Sequence, residues 1–317
     1  MRTKLCGVEL KNPLIAASGT FGFGREYDEL YDISCWGAIS VKGLTLRPRR
    51  GNPPGRIAET ASGMLNSVGL QNPGVDAFIR DELPWLAAKG IPVIANVAGS
   101  SEEEYAEAVR RLSDSPVAMI ELNISCPNVR QGGVSFGTSP ERVYGITRLV
   151  RACTGLPLMV KLTPNVSDIA EAATAAEDAG ADAVSLINTI IGMAIDTGTR
   201  RPVLANVTGG LSGPAIKPVA LRMVWQAARA VSIPVVGMGG ITTADDAVQF
   251  MIAGACAVMI GTANITDPMS GPRIIDDFRR YLEGEGISDP GALVGSLRTD
   301  EADARREVFE NRKSDVL

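Results

Sequence analysis

Eight short runs of apolar and β-branched residues, separated by alanine-rich stretches with a 3.6-residue apolar period, predict an α/β protein built on a parallel sheet. The runs are nearly continuous in apolar residues instead of alternating, which is the pattern of strands covered on both faces. Eight is also the number that closes such a sheet. Together these features predict a (β/α)8 TIM barrel with an N-terminal extension and loop insertions over the C-terminal face. An open doubly wound sheet is the competing architecture. It is weakened by Ser18-Gly19-Thr20-Phe21-Gly22-Phe23-Gly24 after the first run, whose glycines have the wrong spacing for a G-x-G-x-x-G dinucleotide turn.

The strands are expected at 13–18, 38–43, 91–97, 117–125, 156–164, 182–189, 233–240 and 257–262. Helices are expected at Ser101–Leu112, Pro140–Cys153, Ser167–Ala179, Pro214–Val231 and Thr243–Ala253. Ser101 followed by Glu102-Glu103-Glu104 reads as an N-cap with an acidic first turn, and Ala179-Gly180 and Ala253-Gly254 read as glycine stops. Two connections, 44–76 and 190–213, are too long for simple barrel loops. Both follow strand C-terminal ends and so should stand over the face where barrel active sites are built. Residues 1–298 are expected to form one domain, with 299–317 a charged tail at the surface or against a partner.

The chain has 317 residues, 45% of them hydrophobic and 21% charged, which is an ordinary soluble globular composition and excludes disorder. A net charge of -5 argues against a general nucleic-acid surface; Arg47-Pro48-Arg49-Arg50 is the one basic cluster. The N-terminus breaks at Lys11-Asn12-Pro13 before a signal-length apolar core forms, and the longest apolar run, 250–261, is too short to span a bilayer, so a cytoplasmic protein is expected. Five scattered cysteines without a C-x-x-C pair suggest neither a disulfide framework nor a metal site. There is no histidine, which removes the commonest general base and metal ligand.

Functional residues are expected where polar groups replace Val, Ile and Leu at the strand ends: Ser18, Lys42, Asn96, Asn123 with Ser125, Lys161, and Asn188 with Thr189. Barrel mouths are wet, so any one of these could be incidental; six together are not easily so. Gly239-Gly240 and Gly261-Thr262 follow strands seven and eight, where barrels commonly bind a phosphate through backbone N–H groups and a helix N-terminus. Lys42 and Lys161 should project over the barrel centre. A cation there can stabilise the negative charge of a reduced flavin, or a lysine can form a Schiff base, and pattern alone leaves both open.

Asn123-Ile124-Ser125-Cys126-Pro127-Asn128 runs from a strand end into a loop containing Gly132, Gly133 and Gly137, glycines suited to hinges. Without histidine, a cysteine at a barrel mouth is a candidate base, although a free thiol with pKa near about 8.5 is mostly protonated at neutral pH.

From about Leu5 to Leu297 the sequence resembles the class 1 dihydroorotate dehydrogenases. The likeness rests on Asn123–Asn128, on Asn66-Ser67-Val68-Gly69-Leu70-Gln71-Asn72-Pro73-Gly74, on Val160-Lys161-Leu162-Thr163-Pro164 and on Gly210-Leu211-Ser212-Gly213. It implies oxidation of dihydroorotate to orotate in pyrimidine biosynthesis, with Cys126 taking the C5 proton and FMN accepting the C6 hydride. It further implies that Lys42, Asn66, Val68, Gly69, Leu70, Asn123, Asn128, Asn188 and Thr189 bind the substrate. Ser18, Lys42, Gly43, Asn96, Asn123, Lys161, Ile187, Gly213, Gly239, Gly240, Gly261 and Thr262 would hold FMN. The substrate loop resembles the NAD-linked 1B type more than the fumarate-linked 1A type. The 1B type implies a homodimer joined to a partner subunit carrying FAD and a 2Fe-2S cluster, for which this chain has neither fingerprint nor clustered cysteines. Other flavin-barrel pyrimidine reductases, a tRNA dihydrouridine synthase and a Schiff-base lyase using Lys161 are the alternatives.

Overall fold

The computed structural model describes residues 1–124 and 136–299. Ser125, Cys126, Pro127 and Asn128, the Gly132-Gly133 pair and the tail from residue 300 onward lie outside the described residues.

Each of the eight expected runs contains one barrel strand: β1 (Leu14–Ala16), β2 (Ala38–Ser40), β3 (Val93–Val97), β4 (Met119–Asn123), β5 (Leu158–Lys161), β6 (Ala183–Leu186), β7 (Val235–Met238) and β8 (Ala257–Ile260). Every strand pairs in parallel with its neighbours in sequence, and β8 pairs with β1 to close the barrel. Except for β3, the strands stop earlier than the runs do. Ser18, Lys42, Asn188, Gly239 and Gly261 therefore sit in the loops just beyond the ladder, at the mouth.

The expected helices are α1 (Glu102–Ser113), α2 (Pro140–Arg151), α3 (Ile169–Asp178), α4 (Lys217–Ala230) and α5 (Ala244–Ile252), with a short 3-10 turn at Pro214–Ile216 leading into α4. Ser101 caps α1 by accepting the Glu104 N–H, and Gly180 and Gly254 follow α3 and α5 with φ of 94° and 123°. A further helix, α6 (Ser270–Gly284), was not foreseen; it buries Ile274, Ile275, Phe278 and Leu282 on one face. Val75–Ala77, Phe78–Glu82 and Leu83–Ala88 likewise form one helical stretch after β2, the middle part with π-type bonding.

Alternate strand residues point inward, and Ile15, Ile94, Met119, Met159, Met238 and Met259 make the apolar filling. Leu5 and Leu10, from an antiparallel hairpin of Thr3–Leu5 with Val8–Leu10, join that cluster together with the first residues of β2, β6 and β8, so the N-terminal extension plugs the bottom of the barrel. The second, larger cluster lies between strands and helices.

The two long connections build one structure. Ile57–Thr60, Gly63–Asn66, Thr208–Ser212 and Ile190–Met193 pair antiparallel in the spatial order Ile190–Met193, Thr208–Ser212, Gly63–Asn66, Ile57–Thr60. Ala58, Leu65 and Leu204 give this sheet a small core of its own. A second hairpin, Ile195–Asp196 with Arg201–Pro202, extends the later connection.

Candidate active site

Between the barrel mouth and this antiparallel sheet lies a cleft enclosing about 1320 Å³, open solvent at its mouth included. The barrel supplies Ser18, Lys42, Gly43, Asn123 and Lys161 to its lining. Ile187, Asn188 and Thr189 enter from the turn after β6, which begins with a cis peptide between Leu186 and Ile187. The sheet and its following loop supply Asn66, Val68, Gly69 and Leu70. Gly213, Gly239, Gly240, Gly261 and Thr262 close the remaining side. Residues from both long connections and from every strand end but that of β3 thus meet over one rim. Asn96 differs from the expectation in one respect: it is fully buried beneath the floor and does not line the cleft. Cys126 and Asn128 lie outside the described residues; in sequence they follow the lining residue Asn123 by three and five positions.

The glycine end has the chemistry of an anion cradle. The backbone N–H groups of Gly240 and Gly261 have no carbonyl partner among the described residues. Gly240 adopts φ 75°, and a Cβ there would come within 2.8 Å of the Gly213 carbonyl and of Lys217, so only glycine fits. The N-terminus of α5 is already filled by its own Asp246, whose carboxylate accepts from the Thr242 N–H and hydroxyl, the Thr243 N–H and the Lys217 ammonium. Burial works against that charge, but Lys217, Thr242 and Thr243 outweigh it and hold the Asp246 carboxyl below its ordinary range. An arriving anion is thus left to the Gly240 loop and to Gly261–Thr262, which opens the short helix Thr262–Thr266. A phosphate fits this donor set.

The other end is lined by amides on braced backbone. Asn66 ends the strand Gly63–Asn66 and donates to the Gly210 carbonyl at 3.4 Å. Gly210 is packed so tightly against Thr189 that an added Cβ would stand 2.0 Å from its hydroxyl oxygen. Asn188 accepts the Thr189 N–H at 2.8 Å. The loop after Asn66 is pinned by Asn72, buried, which accepts from the N–H groups of Thr45 and Gly74 and donates to the Thr45 hydroxyl and the Leu70 carbonyl. Asn165 ties the start of the later insertion to the loop after β5, donating to the Thr189 carbonyl and accepting the Ile191 N–H. Such bracing holds polar groups in place before a ligand arrives.

Between the two ends stand the lysines. Lys161 is only 5% exposed and, among the described residues, makes no hydrogen bond or ion pair, so its ammonium is directed to whatever the cleft holds. Lys42 passes close to Gly19, where a Cβ would lie 3.8 Å from its Nζ. Beneath them, Asn123 donates to Asn96, Asn96 donates to Glu121, and Tyr105 donates through its hydroxyl to the Asn123 carbonyl at 2.8 Å.

Sequence reading passed over Glu121, Tyr105, Asn165 and Asn72. Glu121 left a signal, a charge at an inward-facing position of an otherwise apolar strand. Gly137, expected as a hinge, is close-packed instead: a Cβ would meet the Ile124 carbonyl oxygen at 2.8 Å.

Fold and site together define an α/β-barrel enzyme class whose mouth carries a glycine cradle at one end and amides at the other, with buried Lys161 and half-buried Lys42 between them. Comparison with known proteins narrows the class. The family model described as dihydroorotate dehydrogenase matches residues 1–282. The chain is 55% identical over 300 residues to the dihydroorotate dehydrogenase B (NAD(+)) catalytic subunit of Geotalea uraniireducens (strain Rf4), covering 94% of this chain and 98% of that one. It is 56% identical over 300 residues to the subunit of the same name from Thermoanaerobacter sp. (strain X514), 95% and 99% covered. The corresponding protein of Geobacillus kaustophilus is 53% identical over 296 residues, 93% and 95% covered. The chain belongs to the dihydroorotate dehydrogenase family.

Proposed function

We propose that this chain is the catalytic subunit of an NAD-linked dihydroorotate dehydrogenase of the 1B type, oxidising dihydroorotate to orotate in pyrimidine biosynthesis. The observation that carries this reading is the single cleft in which buried Lys161, the amides of Asn66, Asn123 and Asn188, and the glycine cradle converge. The cradle and the lysines fit FMN: Gly240, Gly261 and Thr262 would hold its phosphate, and Lys161 would sit where charge accumulates on reduction. Bound there, the flavin supplies the acceptor for the hydride from C6 of the substrate.

The chain's own groups do the rest. Asn66, Asn123, Asn188 and Asn128 would pair with the ring amide edges and carboxylate, with Thr189 beside them and Lys42 reaching both ligands. Buried amides left unpaired are costly, so analogues lacking those groups are rejected. Cys126 takes the proton from C5 as thiolate, and the deprotonated carbon expels hydride from C6, leaving the C5–C6 double bond of orotate. A partner subunit carrying FAD and a 2Fe-2S cluster would pass the electrons on to NAD. The name shared by the relatives, a catalytic subunit, supports such a partner. We expect two copies of each subunit in the assembly. Among the described residues no helix is long and apolar enough to cross a membrane.

The test is colour. Purified protein should be yellow with bound FMN and should bleach when dihydroorotate is added without air. Protein that cannot take up FMN, or keeps its colour with dihydroorotate, contradicts the reading.

A further inference from the structure

Glu121 is completely buried in the middle of β4, two residues below Asn123 on the same inward-facing side. Burying a carboxylate is costly unless its oxygens are satisfied. Here they are met by neutral donors from three other strands. Oε2 accepts from the Ser40 hydroxyl of β2 at 2.6 Å and from the Asn96 Nδ2 of β3 at 2.6 Å, and Oε1 accepts from the Ser185 hydroxyl of β6 at 2.8 Å. No lysine or arginine is bonded to it among the described residues.

This arrangement decides the sense of the amides above it. An Asn side chain can be turned either way by shape, and only its partners fix which end is nitrogen. The Glu121 oxygen engaged by Asn96 is an acceptor, so Asn96 must present its NH2 downward and its carbonyl oxygen upward. That oxygen then accepts from Asn123 Nδ2 at 3.2 Å. Asn96 has no room to turn aside: it is fully buried, and a Cβ on the overlying Gly43 would lie 3.0 Å from its Oδ1. The backbone of Asn123 is held separately by the Tyr105 hydroxyl.

We propose that Glu121 is a positioning residue for substrate recognition, one that acts through Asn96 to fix which end of the Asn123 amide is turned to the ligand in the cleft. The ligand's hydrogen-bonding sense at that point is thereby dictated from the barrel core, two side chains away. The proposal rests on the functional reading above, in which Asn123 touches substrate.

Glu121→Gln keeps the shape but lets the group below Asn96 be a donor or an acceptor, so the sense of Asn123 is no longer enforced. Orotate binding to the FMN-loaded protein, read from the change in flavin absorbance without turnover, should weaken about tenfold, the scale of one lost oriented hydrogen bond. Asn96→Ala should do the same while leaving Glu121 its two serine partners, and it decides the matter if the Gln variant does not fold. A merely structural role would add to any other defect. The role proposed here would not: with Asn123→Ala already present, either change should weaken orotate binding less than twofold further. Orotate binding within twofold of wild type in the folded single variants, or losses that multiply with Asn123→Ala, would overturn the proposal. Wild-type protein that takes up no flavin or gives no orotate signal would instead defeat the functional reading itself.

Discussion

The chemistry at the residue scale turns on which thiol can act as a base. Burial pushes Cys6 up to about 11, reinforced by Asp182; Cys35 up to about 11, reinforced by Asp32; and Cys256 up to about 12, reinforced by Cys6. At neutral pH these three are protonated and poor nucleophiles. Iodoacetamide at pH 7.5 should therefore inactivate through Cys126, with orotate protecting, while peptide mapping finds Cys6, Cys35 and Cys256 unmodified over the same interval. Early modification at any of the three, or activity that survives modification of Cys126, would count against the assignment. Lys42, Lys161, Asn123 and Asn188 at the cleft were legible in the sequence because polar residues interrupt apolar strand ends there. Asn72, Asn165 and Tyr105 were not, since their work includes bonding loop or strand-end backbone that is distant in sequence, and nothing in local composition marks such a partner.

Individual elements show where periodicity suffices and where it does not. The barrel strands follow from continuous apolar runs, because both their faces are buried, and helices α1 to α5 from apolar pattern and caps, because each buries one continuous face. The antiparallel sheet over the mouth does not. Its strands are four or five residues long, its central pairing of Thr208–Ser212 with Gly63–Asn66 spans more than a hundred positions of sequence, and it contains Gly209 and Gly210 where side chains would collide. The turn after β7 is set by Asp246, whose folded-state carboxyl lies below its unfolded value because Lys217, Thr242 and Thr243 together outweigh the cost of burial. A depressed carboxyl contributes stability that is full above the unfolded value and is lost as pH falls through the folded one. Asp246→Asn should accordingly cost on the order of 2 kcal/mol at pH 7, and weaken FMN retention, with the deficit against wild type shrinking below about pH 4. Thermal unfolding across pH checks this; a deficit that grows on acidification would contradict it.

For the molecule as a whole, the division of labour is between a closed parallel barrel and what is laid on its two ends. Leu5 and Leu10 seal the bottom, the two insertions roof the top, and the polar layer from Glu121 to Asn123 joins packed interior to cleft. The barrel was legible because its strands recur in order with helical stretches between most of them; the roof's position was legible because both long connections follow strand C-terminal ends. That those connections pair with each other was not, since pairing depends on register, which loop sequences rich in glycine and polar residues leave open. The central claim is that this one cleft holds both reactants. A crystal structure with FMN and orotate tests it most directly. The phosphate should lie against the N–H groups of Gly240 and Gly261, the flavin ring against Lys161, and orotate between that ring and the Asn66 strand, touching Asn123 and Asn188. Either ligand bound elsewhere, or orotate out of contact with those asparagines, would contradict the account.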